Sequence, residues 1–423
     1  MRVRIRMRRT CTRHHCKDRN PMLHAPKRHV IFATALLLTA TTSLASPFRY
    51  YDARSQSMGG TGVASAETVV AAFYNPALLG DTRGSSNSFI SFPNLTAYAS
   101  DKSDFLDDLD DYQDLFDELE QLEPSLTARR QAIEAIETVQ GALNELKEDR
   151  LEADVTFGFT GGITGRGQGV ALLAKAWIIA GARANVEPTD EAVLRINLNL
   201  LRAGLPPIIP LEEDVDSTVD YRGAIIQEFG IAFGQHFETL WGISLGITPK
   251  IMVVNTFDYV QTVEEADLDF DEGRKDYSDF NVDIGIAKRF SPQWSAGLAI
   301  KNVVKNRYET ALDNEIVIQP QYRLGVLYEK ERWRATLDAD LIENDPLGSL
   351  DRPTQFIGLG GEYDLTRALR IRGGLRTNLS DNSTVEDTIT LGFGVSVFGA
   401  TLDVSGMVGD NEYGLGLGLN FGL

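Results

Sequence analysis

The last 37 residues, Asp387 to Leu423, alternate almost without error. Ile389, Leu391, Phe393, Val395 and Val397 interleave with Thr388, Thr390, Gly392, Gly394 and Ser396. After a break at Phe398-Gly399-Ala400, Leu402 and Val404 alternate with Thr401, Asp403 and Ser405. Beyond Gly409-Asp410-Asn411, Leu415, Leu417, Leu419, Phe421 and Leu423 alternate with Gly414, Gly416, Gly418, Asn420 and Gly422. A period of two puts every apolar side chain on one face of a strand and the small or polar ones on the other. That pattern predicts a membrane barrel, with lipid outside and a wet lumen inside.

Reading backwards with the same rule predicts an all-β chain, a transmembrane antiparallel β-barrel of about fourteen strands. They fall near 87–99, 152–164, 168–182, 221–236, 239–258, 277–290, 293–309, 315–330, 332–345, 354–364, 368–380, 386–398, 399–409 and 412–423. Connections after even-numbered strands are short: Gly165-Arg166-Gly167, Phe237-Glu238, Ser291-Pro292, Glu331 and Leu365-Thr366-Arg367. All the long ones follow odd-numbered strands, including 100–151, 183–220 and 259–276. Bacterial barrels keep short turns on the periplasmic side and long loops outside, so this parity orients the chain. Trp241, Trp294 and Trp333 each fall near a short turn, as an interfacial aromatic girdle requires.

Two regions do not alternate. Between 101 and 150, Phe105, Leu109, Tyr112, Phe116 and Leu119 recur at helical spacing. After Glu123-Pro124-Ser125, the residues Ile133, Ile136, Val139, Leu143 and Leu146 do the same, predicting a helical insertion in an outer loop. Its acidic run contains no Asp-x-Asp-x-Asp-Gly calcium loop and reads as a solvated face. A further outer helix is expected over Glu191 to Arg202. Residues 46–85, ahead of the first strand, carry Met58-Gly59-Gly60-Thr61-Gly62 and Tyr74-Asn75-Pro76-Ala77. The glycines permit sharp turns and close packing, and this segment is the candidate hatch, or plug, of the lumen.

Composition sharpens the placement. Residues 1–45 combine a basic stretch, the apolar run Val30–Ala40 and a cleavage-like Ser43-Leu44-Ala45, the layout of a secretory signal peptide with Met1 or Met22 as its start. No run reaches the ~18 apolar residues of a spanning helix, so an exported membrane chain must cross as a barrel. The chain has 41 Lys and Arg against 60 Asp and Glu, and ten of the former but one of the latter lie in the leader. The remainder carries about −28, which excludes nucleic acid as a bound partner. Cys11 and Cys16 leave with the leader and only His236 of the five histidines stays. Disulfide, thiol and His-rich metal chemistry are thereby excluded, and no cofactor is expected.

Two clusters invite a chemical reading. Gly242-Ile243-Ser244-Leu245-Gly246 matches G-x-S-x-G, but that motif works on a strand-to-helix elbow, whereas here it runs straight along a strand. An outer-membrane lipase is therefore the weakest reading, and no catalytic residue is assigned. Arg334, Asp338, Asp340, Glu362, Arg370, Arg372 and Arg376 are candidate luminal charges, read as a network stiffening the wall or as a filter.

The N-terminal segment and the barrel together resemble the long-chain fatty-acid transporter (FadL-like) superfamily. Arg54-Ser55-Gln56-Ser57-Met58-Gly59-Gly60-Thr61-Gly62 with Tyr74-Asn75-Pro76-Ala77 looks more closely like the conjugal transfer TraF-type outer-membrane family. The resemblance implies a fourteen-stranded barrel with Met58, Gly59, Gly60, Gly62, Asn75, Pro76 and Ala77 in a luminal hatch. It implies a plugged channel linked to conjugation or envelope transport in the outer membrane of a Gram-negative bacterium. The alternative is a FadL-like passive transporter of hydrophobic small molecules. Expected partners are outer-membrane lipid, the barrel assembly machinery, and either conjugation components or hydrophobic small molecules. Two departures stand out. The TraF name also covers thioredoxin-like proteins, which a cysteine-free mature chain does not fit. The chain also ends in Leu423 rather than an aromatic residue.

Overall fold

The computed structural model describes residues 50–81, 87–101, 105–120, 126–147, 150–205, 216–344, 354–380 and 387–422. The expected leader and cleavage site, the Glu123-Pro124-Ser125 break and Leu423 lie outside these residues.

Fourteen antiparallel strands close into one barrel. In chain order they are β1 (Asn87–Asp101), β2 (Arg150–Gly165), β3 (Gln168–Asn185), β4 (Thr218–Phe237), β5 (Ile243–Thr262), β6 (Lys275–Arg289) and β7 (Trp294–Lys301). A separate two-stranded hairpin, β8 (Asn306–Glu309) and β9 (Glu315–Ile318), intervenes. The wall resumes with β10 (Gln321–Lys330), β11 (Trp333–Asp340), β12 (Phe356–Asp364), β13 (Leu369–Asn378), β14 (Thr388–Val397), β15 (Ala400–Val408) and β16 (Glu412–Gly422), which pairs with β1. Closure leaves no strand edge for lipid to meet, as a spanning sheet requires.

Burial is inverted relative to a water-soluble sheet. Outward Leu391 and Leu415 are 64% and 71% exposed, while luminal Glu362 is 1% exposed. Arg166-Gly167 and Phe398-Gly399 each place two consecutive residues at positive φ, the primed turn geometry that suits the twist of a hairpin.

Three boundaries differ from the alternation. The strand expected at 239–258 starts at Ile243, because Glu238–Leu240 forms a 3-10 turn and Trp241 and Gly242 are left-handed. The expected strands 293–309 and 315–330 are each cut in two. Val303 and Val304 leave the wall to bond Val282 and Asn281, and the chain turns inward before returning at Gln321. Alternation continues through that inward hairpin, so period alone does not separate it from the wall.

The insertion contains α3 (Phe105–Glu120) and α4 (Leu126–Glu145); α5 (Pro188–Ala203) follows β3. Pro188 opens α5, and Gly204 closes it in the left-handed conformation with bonds to Leu200 and Leu201 carbonyls. Leu109, Tyr112, Ile136, Leu143, Leu194 and Leu198 pack on the outer faces of β3–β5 through Ala182, Tyr221 and Phe257. Those strands run 18 to 20 residues, longer than a bilayer needs, and the helices cover the surplus. No helix among the described residues is long and apolar enough to cross a membrane.

Candidate functional site

The lumen is filled by residues 50–81. This segment holds two short helices, α1 (Ala53–Gln56) and α2 (Ala71–Tyr74), and a 3-10 turn at Pro76–Leu79. Nearly all of it is buried. Asp52 caps α1, accepting from the Ser55 amide at 3.0 Å. Gly59 and Gly60 both adopt positive φ and reverse the chain. The Gly59 amide then donates to Thr390 at 3.0 Å, and the Gly62 and Val63 amides donate to one oxygen of Asp338 at 2.8 and 2.9 Å.

Asn75 serves both the segment and the wall. Its Oδ1 accepts from the Ala77 amide at 3.0 Å, while Nδ2 donates to the Val63 carbonyl at 2.8 Å and the Ile286 carbonyl of β6 at 3.1 Å. Pro76 starts the 3-10 turn, where a missing amide proton removes no bond.

The wall is shaped to receive this turn. Gly169, Gly234, Gly246 and Gly285 are successive cross-strand partners on β3–β6. A Cβ on them would lie 2.6 Å from the Leu79 carbonyl oxygen, 2.5 Å from that of Pro76, 2.2 Å from the Ala77 nitrogen and 2.0 Å from Asn75 Oδ1, respectively. On the opposite wall Gly358 and Gly374 make room for Gly59 in the same way. Backbone meets backbone all round the segment.

Charge ties the two together. Glu362 lies between Arg54 of the segment (3.0 Å), Arg372 (2.6 Å) and Arg334 (2.6 Å), and Arg372 reaches Asp403 at 2.7 Å. Glu67 of the segment joins Arg370 at 2.5 Å and Arg54 at 3.7 Å. Burial alone would raise the Glu67 carboxyl, but Arg54 and Arg370 outweigh it and hold it below the usual carboxylate range. For Arg54, burial works against the charge, yet Glu362 and Glu67 push its pKa up. Asp340 pairs with Arg323 at 2.6 Å, and Arg376 donates to the Tyr50 hydroxyl at 3.2 Å.

A second charged layer stands on β3–β7. Lys250 contacts Glu228 at 2.7 Å and Asp283 at 2.9 Å, and Lys175 contacts Glu228 at 3.1 Å. Lys301 donates to the Phe73 carbonyl, and the Lys175 and Lys301 ammoniums sit 4.0 and 4.9 Å from the centre of the Tyr51 ring. The segment is thus held from both sides.

The sequence-predicted charges Arg334, Asp338, Asp340, Glu362, Arg370, Arg372 and Arg376 all face inward, and Met58, Gly59, Gly60, Gly62, Asn75, Pro76 and Ala77 all lie in the lumen. Trp241, Trp294 and Trp333 are exposed at the short-turn rim, the latter two against Tyr328 and Tyr363. Sequence reasoning missed Arg54, Glu67, Lys175, Glu228, Lys250, Asp283, Lys301 and Asp403. The wall residues among these stand at inward parity in alternating strands, a signal that was present. Arg54 and Glu67 carry no such signal.

His236 lies within β4. It is the cross-strand partner of Ser244, with Nδ1 3.0 Å from Oγ and Nε2 3.3 Å from Glu238. The order mimics a Ser–His–acid array, but Ser244 is buried in a continuous ladder and Glu238 is 89% exposed. Ser244 lies in a continuous strand and not on the strand-to-helix elbow that acyl transfer uses. A concavity of about 930 Å³ beside Phe233, Leu245, Ile247 and Ile284 lies on the outer, lipid-facing surface. A luminal pocket of about 450 Å³ lies between the segment and the short-turn rim, lined by Arg54, Ser65, Glu67, Asp81, Arg289 and Arg334.

Fold and lumen define an outer-membrane β-barrel closed by its own N-terminal segment. The profile of the family described as F plasmid transfer operon, TraF, protein matches residues 72–340, well over half of the chain, and the chain belongs to that family. No curated protein matches it. Among solved structures, it is similar to the TodX deltaS2S3 mutant monoaromatic hydrocarbon channel at TM-score 0.51 and 8% identity, covering 88% of this chain and 98% of that one. A Pseudomonas aeruginosa FadL homologue matches at TM-score 0.46 and 12% identity, over 90% and 99%. At such identities the first likeness is one of fold.

Proposed function

We propose that this protein is a plugged channel of the Gram-negative outer membrane, serving conjugation or envelope transport. The leader is removed near Ala45, the short turns face the periplasm, and α3–α5 stand outside the cell. The carrying observation is the fit between the N-terminal segment and the glycine row. A lumen wide enough to hold a folded segment is a passage, and charged and backbone contacts keep it shut. The transfer-operon name of the family favours a role in mating, with lipid and the barrel assembly machinery as obligatory partners.

A clean deletion tests the role. It should lower mating frequency by at least tenfold and be restored by the intact gene. Unchanged mating together with unchanged envelope permeability would sink the reading.

One observation favours a second reading, passage of hydrophobic small molecules. Above the lysine layer the inner wall turns apolar at Trp177, Ile226, Met252 and Val254. Water and ions do not need such a patch.

A further inference from the structure

The connection from β7 to β10 does not extend into solvent. It folds into the lumen as the β8–β9 hairpin. The apolar edge of the hairpin, Tyr308, Ile316 and Ile318, is fully buried against Trp177, Ala224, Ile226, Met252 and Val254. The opposite edge, Arg307 and Glu315, is exposed and ion-paired at 3.1 Å. The hairpin is therefore amphipathic, with its apolar side turned to an apolar patch on the inner wall.

Polar contacts fasten it at three points. At the root, Asn281 Nδ2 donates to the Val304 carbonyl at 2.9 Å and to Asn306 Oδ1 at 2.8 Å. Along its length, the Tyr277 hydroxyl donates to the Glu309 carbonyl at 2.7 Å and Lys275 to the Thr310 carbonyl at 2.6 Å. At the tip, Thr310 and Asn314 both donate to Asp258 Oδ2, the latter at 2.8 Å, while Arg222 donates to Oδ1 at 3.1 Å. Two strands of four residues each are marginal on their own. The hairpin holds its place through the wall.

We propose that this hairpin is an outer strap covering a binding patch for a small apolar solute, and that its release from Asp258 uncovers the patch. The idea rests on the channel reading above. The strap fills the patch with one aromatic ring and two branched aliphatic side chains, so the solute is of similar size and apolarity. The Lys175–Glu228–Lys250 layer beneath gives the site a charged floor, which stops apolar solutes from continuing unless the plug also shifts. The path of an apolar solute is thus guarded twice, by the strap at the patch and by the plug beneath it.

Disulfide locking tests this in the exported barrel, since residues 46–423 contain no cysteine. Asp258→Cys with Asn314→Cys ties the tip to the wall. The apolar fluorophore N-phenylnaphthylamine should bind the reduced protein and lose at least tenfold in affinity on oxidation. Equal binding in both states overturns the strap. A second route tolerates poor folding of that pair: Met252→Cys should react with a charged, impermeant thiol reagent at least tenfold faster when Asp258→Ala is added. Equal rates again overturn the proposal. Deleting residues 50–80 separates the two claims. A deleted barrel that conducts but binds no probe in either state sinks the strap alone. One that folds yet never conducts sinks the channel reading as well.

Discussion

Glycine does more here at luminal positions than apolar residues do. Gly285 is paired with Gly246 in the wall and lies against Asn75 and Ala77, so a side chain there must displace the plug or distort the strand. Gly285→Val is expected to destabilise the seated state by about 1–3 kcal/mol, the range of overpacked cores. Gly361→Ala, whose Cβ meets nothing closer than 3.9 Å, should be neutral within about 0.5 kcal/mol. The temperature at which the folded barrel loses its compact gel mobility distinguishes the two. Ser244 allows a sharper test. Buried against His236 with no elbow, it should not react with a fluorophosphonate probe, and Ser244→Ala should leave stability and mating unchanged within about twofold. Stoichiometric labelling would revive the hydrolase reading. The sequence suggested small luminal residues in these strands. Only the pairing register turns Gly169, Gly234, Gly246 and Gly285 into one row.

Among the elements, the plug and the helical layer answer to different forces. Glu67 binds the plug to Arg370, and its carboxyl is held below its ordinary 4.5 in the seated state. The contribution of that contact is therefore complete above pH 4.5 and is lost as pH falls through the lower, seated-state value. Conductance or protease cleavage within 50–81 should rise below pH 4.5, and Glu67→Gln should remove that step while loosening the plug at neutral pH. A wild-type plug indifferent to acid would contradict this assignment. The helices rely on apolar burial instead. Leu143→Asp should open α3–α5 to proteolysis, since an unpaired charge cannot stay in that packing, yet leave the heat stability of the barrel intact. The helices were legible because 3.6-residue periodicity is local. The inward hairpin was not, because β8 and β9 alternate like wall strands and only the contacts with Asp258 and Asn281 reveal their direction.

At the scale of the whole molecule, parity was the most informative feature of the sequence. Fourteen strands, short connections after even ones and a helical layer on one side follow from period two and closure. How the lumen is filled did not follow, because Arg54 meets Glu362 across 308 residues and no local pattern encodes that pairing. The central claim is that a channel-forming barrel is sealed by residues 50–81. Planar-bilayer recording of the purified protein, intact and with residues 50–80 deleted, tests it most directly. The intact barrel should stay closed, and the folded deletion should show stable single-channel steps at least tenfold larger than any seen without it. A deletion that folds, keeps its heat-modifiable gel mobility and remains as silent as the intact protein would contradict the account.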